Sequence, residues 1–413
     1  MSTSSDPRAG LKALLIQCCA LAAATANAAP LTLEAAQERA IAADTGRGVF
    51  EAEAAAMRDR AVAAGQLPDP EARIAAINVP VDSLAFDRED MTMIEVGIMQ
   101  RFPAGRSREL SRQQLEHHAL HYDADAQLRR REVRLTVERL WRELDYLDGA
   151  IGILDEASSW IRVLIAGAAA AYESGAASQA DLVDSRLAAL AIEESLIQRG
   201  RDRETALAEL RRWIGSLDPS RVAAPAAPRD LPGLEVLLDR LEMHPVLRAL
   251  EHDAGAARIE TERARARYKP AFGVSLGYGF RQGSDMSGGT RPDMMTAMLT
   301  FDLPLFTRDR QDRELSAARS MLRGVDARRD DARRGLESRL AALHATATAL
   351  AQSLDLYETG VTQLATAGRD AALAAYRAGD GTLADVVNAQ KRRLEVQDRQ
   401  SRLRADLGAA RAE

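Results

Sequence analysis

The sequence predicts an α+β membrane protein, internally duplicated, in which each half supplies two β-strands and a long α-helical hairpin. The first observation is the repeat itself. Tyr172-Glu173-Ser174-Gly175, followed by Asp181-Leu182-Val183, returns 204 residues later as Tyr376-Arg377-Ala378-Gly379, followed by Asp385-Val386-Val387. Pro68 is answered by Pro270, and Gln100-Arg101-Phe102-Pro103 by Phe301-Asp302-Leu303-Pro304. A period of about 200 residues is a whole subdomain used twice, not a solenoid turn. The second observation is where proline stops: none lies between Pro103 and Pro219, and none follows Pro304. Each half therefore ends in a stretch compatible with very long helices. The third is a set of strictly alternating segments ahead of those stretches.

The first 28 residues read as an export signal. Arg8 and Lys12 are a short positive region, Leu11 to Ala24 an apolar run, and Ala26-Asn27-Ala28 a small-x-small cleavage site. Both cysteines, Cys18 and Cys19, fall inside it, so the exported chain has no thiol. A lipid-acceptor cysteine calls for a small preceding residue, and Gln17 before Cys18 disfavours that role. The first repeat is placed at residues 29–215. A linker follows at 216–233, marked by Pro219, Pro225, Pro228 and Pro232, and the second repeat takes 234–413.

Each repeat opens with a helix, Leu31 to Gln66 and His244 to Lys269, leading into strands. In Phe272 to Phe280, one face is Phe272, Val274, Leu276, Tyr278 and Phe280, and the other is only Gly and Ser. Such alternation is a strand with one apolar side. Its partner is Met295 to Leu303, across a polar loop from Arg281 to Gly289. The first repeat follows with Ala72 to Val79, a loop around Val81 to Asp90, and a strand in which Thr92, Ile94, Val96 and Ile98 share a face. No later stretch is long and apolar enough for a membrane helix, so a mature chain that crosses a membrane does so as a closed barrel. Four strands of about ten residues cannot close one, and several protomers must contribute. The alternative is a soluble four-stranded sheet packed on helices.

The helical segments run from Ala104 to Tyr172 and from Gln179 to Trp213, with a turn at Gly175 and Ser178 as the candidate cap. In the second copy Gly379 and Gly381 form the turn and Thr382 is the candidate cap. The even richness in Ala, Leu, Arg and Glu, with 4% aromatics, suits long packed helices. A formal charge of -6, with bases dispersed among acids, argues against a nucleic-acid partner.

These residues together resemble the outer membrane efflux protein family, the TolC-like exit ducts of tripartite pumps. The likeness rests on the export signal, the duplicated helix-strand-strand-hairpin plan, and the turn pattern Tyr-x-x-Gly-x-x-Ser/Thr-x-x-Asp-Leu/Val-Val. It covers about residues 31–413. The resemblance implies a homotrimer with a 12-stranded outer membrane β-barrel and a periplasmic α-barrel, passive in itself. Its implied partners are outer membrane lipid, a periplasmic adaptor and an inner-membrane transporter, with no cofactor. Leu67-Pro68-Asp69-Pro70-Glu71 is similar to this junction in the heavy-metal efflux branch.

By motif position, Asp181, Asp184, Asp385 and Asn388 match tip residues, some of which line the channel entrance in the family. Gly175, Ser178, Gly379 and Thr382 fall where adaptors dock. A trimer would turn each such aspartate into a ring of three carboxylates, which attracts cations. The plainer role for Asp181 and Asp385 is as helix-start acids favoured by the macrodipole. Gly381 replaces a basic gate residue found in some members, which argues against a salt-bridged lock.

His117, His118 and His121 sit at helical spacings that can pair imidazoles on a metal ion. Exposed histidines are the commoner reading. Seven of the eleven methionines lie in or beside strand segments, where thioethers fill apolar space or meet soft metals. There is no phosphate-cradling glycine loop, nucleophile elbow or His-Glu-x-x-His pair, and no enzyme is expected. The competing classes are a soluble periplasmic coiled-coil adaptor and a periplasmic metal-binding protein. An adaptor carries one hairpin flanked by small β domains, against two here.

Overall fold

The computed structural model describes residues 31–175, 178–216 and 230–413. The expected signal peptide and most of the expected linker lie outside the described residues. The first half runs α1 (Leu33–Ala43), α2 (Thr45–Ala64), β1 (Glu71–Ile77), β2 (Met93–Phe102), α3 (Ser107–Glu173) and α4 (Gln179–Ile214). The second runs α5 (Leu234–Asp239), a 3-10 turn at Leu241–Met243, α6 (Pro245–Ala266), β3 (Phe272–Phe280) and β4 (Met294–Phe301). It ends with α7 (Gln311–Leu356), a π-turn at Tyr357–Val361, α8 (Thr362–Ala378) and α9 (Leu383–Ala412).

Two compact units result. One holds Thr45–Arg131 and Pro232–Ala342, and the other holds the chain up to Asp44 together with Glu132–Leu231 and Leu343–Glu413. Each unit draws on both halves of the sequence.

The first unit carries the sheet. Its strands are all antiparallel in the order β1-β2-β3-β4, so both hairpins and the β2–β3 seam join sequence neighbours among the strands. Register puts like with like: Ile74 pairs with Val96, Val96 with Tyr278, and Tyr278 with Met295. One face is therefore an apolar band. β3 occupies the residues that alternation predicts. β1 stops two residues earlier than expected because Asn78 takes a φ of 52°. Its side chain donates to the Met91 carbonyl at 3.2 Å, and Thr92 Oγ1 donates to the Asn78 carbonyl at 2.7 Å. β4 likewise ends before Leu303, next to Pro304, which has no N–H for a ladder.

The second unit is helical. α1 buries Ala36, Ala40 and Ile41 against Val133, Val137, Trp141, Leu144 and Leu147 of α3 and Leu207, Leu210 and Ile214 of α4. Those α3 positions recur every three or four residues, which is one helix face. Trp141 and Leu210 are fully buried. Truncating a leucine in such a place costs about 2–5 kcal/mol.

Two helices differ from expectation. The first is broken at Asp44, whose backbone is extended at φ -72° and ψ 102°. The break falls where the chain leaves one compact unit for the other, and Gly46 and Gly48 weaken the helix there. The long helix of the second half, α7 to α8, is interrupted by the π-turn at Tyr357–Val361, which periodicity alone does not mark. It contains Gly360, and the adjoining Thr362 hydroxyl bonds Gln400 of α9 at 3.1 Å. By contrast α3 runs unbroken for 67 residues, about 100 Å at 1.5 Å per residue.

Candidate functional site

The apolar face of the sheet is uncovered. Phe272, Val274, Leu276, Tyr278 and Phe280 are all exposed, as are Ile74, Ile94, Val96 and Ile98 on one side and Met295, Leu299 and Phe301 on the other. Water-exposed patches of this extent are unusual on a soluble monomer. β1 and β4 also have only one neighbour each, leaving two open edges. Phe102 and Phe272 stack at 4.8 Å near one end of the band. No described helix is long and apolar enough to cross a membrane.

The opposite face is shaped by the small residues of β3. A Cβ on Gly277 would lie 2.8 Å from Glu95 Cδ, and one on Gly279 would lie 2.5 Å from Met93 Sδ. Side chains of β2 thus fold flat over β3. Met93, Met99, Met294 and Met298 all fall on this face by register, while Met295 falls on the apolar one.

The loops at one end are tied together. The Arg291 guanidinium donates to the carbonyls of Asp87, Glu89 and Gln282 at 3.0, 3.1 and 3.0 Å, and pairs with the Asp90 carboxylate at 2.7 Å. Arg281 reaches the Asp90 carbonyl at 2.9 Å. Their partners in the other hairpin lie about 200 residues away, so no local motif marks either arginine.

At the hairpin turns, Gly175 and Gly379 take φ of 77° and 84°. Gly379 N–H bonds the Tyr376 carbonyl and Asp380 N–H bonds the Ala375 carbonyl, a Schellman closure. Gly381 is crowded: a Cβ there would lie 3.2 Å from the Ala375 Cβ. Ser178 and Thr382 then cap α4 and α9, each closing a capping box with the acid three residues on. The Asp181 carboxylate accepts from Ser178 N–H and Oγ, and the Asp385 carboxylate from Thr382 N–H and Oγ1. The Thr382 hydroxyl bond, then its backbone bond, holds the Asp385 carboxyl below the usual carboxylate range.

Asp184 and Asn388 lie elsewhere on those helices. Both line a cleft of about 660 Å³ between α3, α4 and α9, with Trp160, Leu187, Lys391 and Leu394 on its walls. At its far end Asp398 accepts from Tyr146 Oη at 2.9 Å and from Arg199 at 3.3 Å. Burial, then the Asp398 bond, pushes the Tyr146 phenol up to about 12. The four residues expected at the tips thus divide into two capping carboxylates and two cleft-lining side chains.

The histidines meet α6. His121 Nδ1 lies 2.9 Å from Asp253 and Nε2 3.2 Å from Asp125, so both nitrogens face carboxylates. The Asp253 bond raises its pKa, whereas burial lowers those of His118 and His252. His117 stands 6.0 Å from His252, over Gly255. Asp253 completes this cluster from a segment that the sequence could not place beside α3. Among the described residues, no group of three or more His, Cys, Asp or Glu is set to hold a metal ion.

The fold is that of the outer membrane channels. The chain aligns over 92% of its length with a crystal structure of CusC, at 12% identity, 90% coverage of that chain and a TM-score of 0.76. The outer membrane protein VceC of Vibrio cholerae aligns over the same share at 18% identity, 94% coverage of that chain and a TM-score of 0.73. The open MtrE outer membrane channel of Neisseria gonorrhoeae gives 16%, 88% and 0.71. Residues 237–413 match the family model of outer membrane efflux proteins. The fold over 92% of the chain and the family match over residues 237–413 thus both point the same way as the resemblance read from the sequence. No curated protein matches the chain by sequence.

Proposed function

We propose that this chain is the outer membrane exit duct of a tripartite efflux pump, working as a homotrimer. One observation carries the reading. The four-stranded sheet exposes a whole apolar face and two open edges, so one protomer cannot satisfy its backbone groups in lipid. Three copies joined edge to edge make a closed barrel of twelve strands, a size found among outer membrane barrels. The long hairpins then form the periplasmic tunnel, and their turns meet an adaptor that links the duct to an inner-membrane transporter. Energy and cargo choice belong to that transporter.

The gate, on this reading, includes Asp184 and Asn388 through the cleft they line, with Asp181 and Asp385 setting the helix starts beside it. A heavy-metal cargo is supported by the likeness of the Leu67–Glu71 junction to that of the heavy-metal efflux branch. The test is fractionation of cells producing the full chain. A trimer found in the outer membrane and released only by detergent supports the duct. A monomer in the soluble periplasmic fraction supports the adaptor or metal-binding alternatives and removes the duct.

A further inference from the structure

The face of the sheet opposite the apolar band holds four charged side chains, Glu71 and Arg73 on β1 and Glu95 and Arg101 on β2. They form two pairs of one geometry. Glu71 pairs in register with Met99 and reaches Arg101, two residues on, at 3.4 Å. Arg73 pairs in register with Gly97 and reaches Glu95, two residues back, at 2.5 Å. Both are diagonal neighbours across one strand pair, with acid and base exchanged between the strands. By register, β3 and β4 bring only Gly, Ser, Thr and Met to this face.

The two pairs differ in depth. Glu71 and Arg101 are both more than half exposed, whereas the Glu95 side chain is 5% exposed and Arg73 covers it at 63%. Gly277 is what admits Glu95, since any larger residue would occupy the space of its carboxyl. The Arg73 guanidinium bonds that carboxylate directly at 2.5 Å.

We infer that Glu95 and Arg73 hold the inner wall of the barrel neutral, so that the barrel segment adds no charge preference of its own to that of the entrance. This rests on the trimeric duct proposed above, in which this face lines the pore. Each protomer contributes matched pairs, so the wall carries no net ring. Loss of one partner creates a ring of three like charges in a confined pore, where selectivity responds strongly to such rings.

The experiment measures reversal potential across planar bilayers in a KCl gradient, using purified full-length trimers. Glu95→Gln is expected to shift permeability toward chloride, Arg73→Gln toward potassium, and the double variant back to the wild-type ratio. Conducting single-variant trimers with the wild-type ratio overturn the inference, as does a double variant that keeps the shift of either parent. If Glu95→Gln yields no trimer, Arg73→Gln decides alone, because its side chain is mostly exposed and leaves no cavity. A wild-type protein that forms no conducting trimer defeats the duct reading itself, an outcome distinct from conduction with unaltered selectivity.

Discussion

Asp181 and Asp385, 204 residues apart, occupy the same place in two capping boxes, at the starts of α4 and α9. Each accepts from its cap residue's backbone N–H at 3.1 Å, and each donates its own N–H to the cap hydroxyl at 3.2 Å. The preceding glycines are both left-handed, and no side chain stands within 4 Å of where their Cβ atoms would be. Open space with a strained backbone means that a large residue there protrudes outward at a cost of about 1 kcal/mol or more. The Gly175→Trp, Gly379→Trp double variant should therefore assemble as trimers yet lose efflux. Wild-type resistance at normal expression would remove these turns as the adaptor-docking surface.

Asp385 also ties the α9 start to pH. Its carboxyl is held low by bonds that exist only in the folded chain, so its contribution to stability is complete above the ordinary carboxylate pKa of about 4. That contribution disappears as pH falls through the lowered folded value. The Asp385→Ala variant should melt below wild type at neutral pH, and the two should converge in acid. In single-channel recordings, a carboxylate ring at the entrance would further show as reduced cation preference and weaker multivalent-cation block. Unchanged selectivity and block would leave Asp385 as a capping residue only.

Leu276 stands on the apolar band between Ile98 and Ala297, and Ser275 on the other face between Met99 and Met298. An arginine facing lipid near the bilayer midplane costs roughly 2–4 kcal/mol, whereas one facing an aqueous pore does not. Leu276→Arg should sharply reduce the yield of heat-labile trimer in outer membrane extracts. Ser275→Arg should retain most of it. Equal yields would contradict the assignment of the two faces.

His121 gives a pH dependence of opposite sense. Asp253 raises its pKa in the folded chain, so its stabilisation is present below about pH 6.5 and is lost as pH rises through the raised value. His118 and His252, lowered by burial, oppose it, because they must be charged at low pH. Comparison with His121→Gln isolates the one term. The melting temperature should fall more for this variant at about pH 5 than at about pH 9, well above the ordinary imidazole range. A difference independent of pH would show that the His121–Asp253 contact is not an ion pair.

The strand faces, the hairpin turns and the capping residues were legible in the sequence because each depends on neighbours within a few positions. Alternation marks Phe272–Phe280 without reference to any partner, and a Gly followed by Ser or Thr and then Asp sets the turn by its own backbone preferences. What only the tertiary structure decided is which distant groups meet. Strand register placed Arg73 over Glu95, docking of α6 on α3 set Asp253 against His121, and Arg291 closed on loop carbonyls of the other hairpin. The division at Asp44 and the π-turn at Tyr357–Val361 belong to the same class, since local propensity leaves helix continuity there open and packing settles it. Local chemistry chooses elements, while the pairing of charges across them depends on register and packing between segments, which no single stretch of chain encodes.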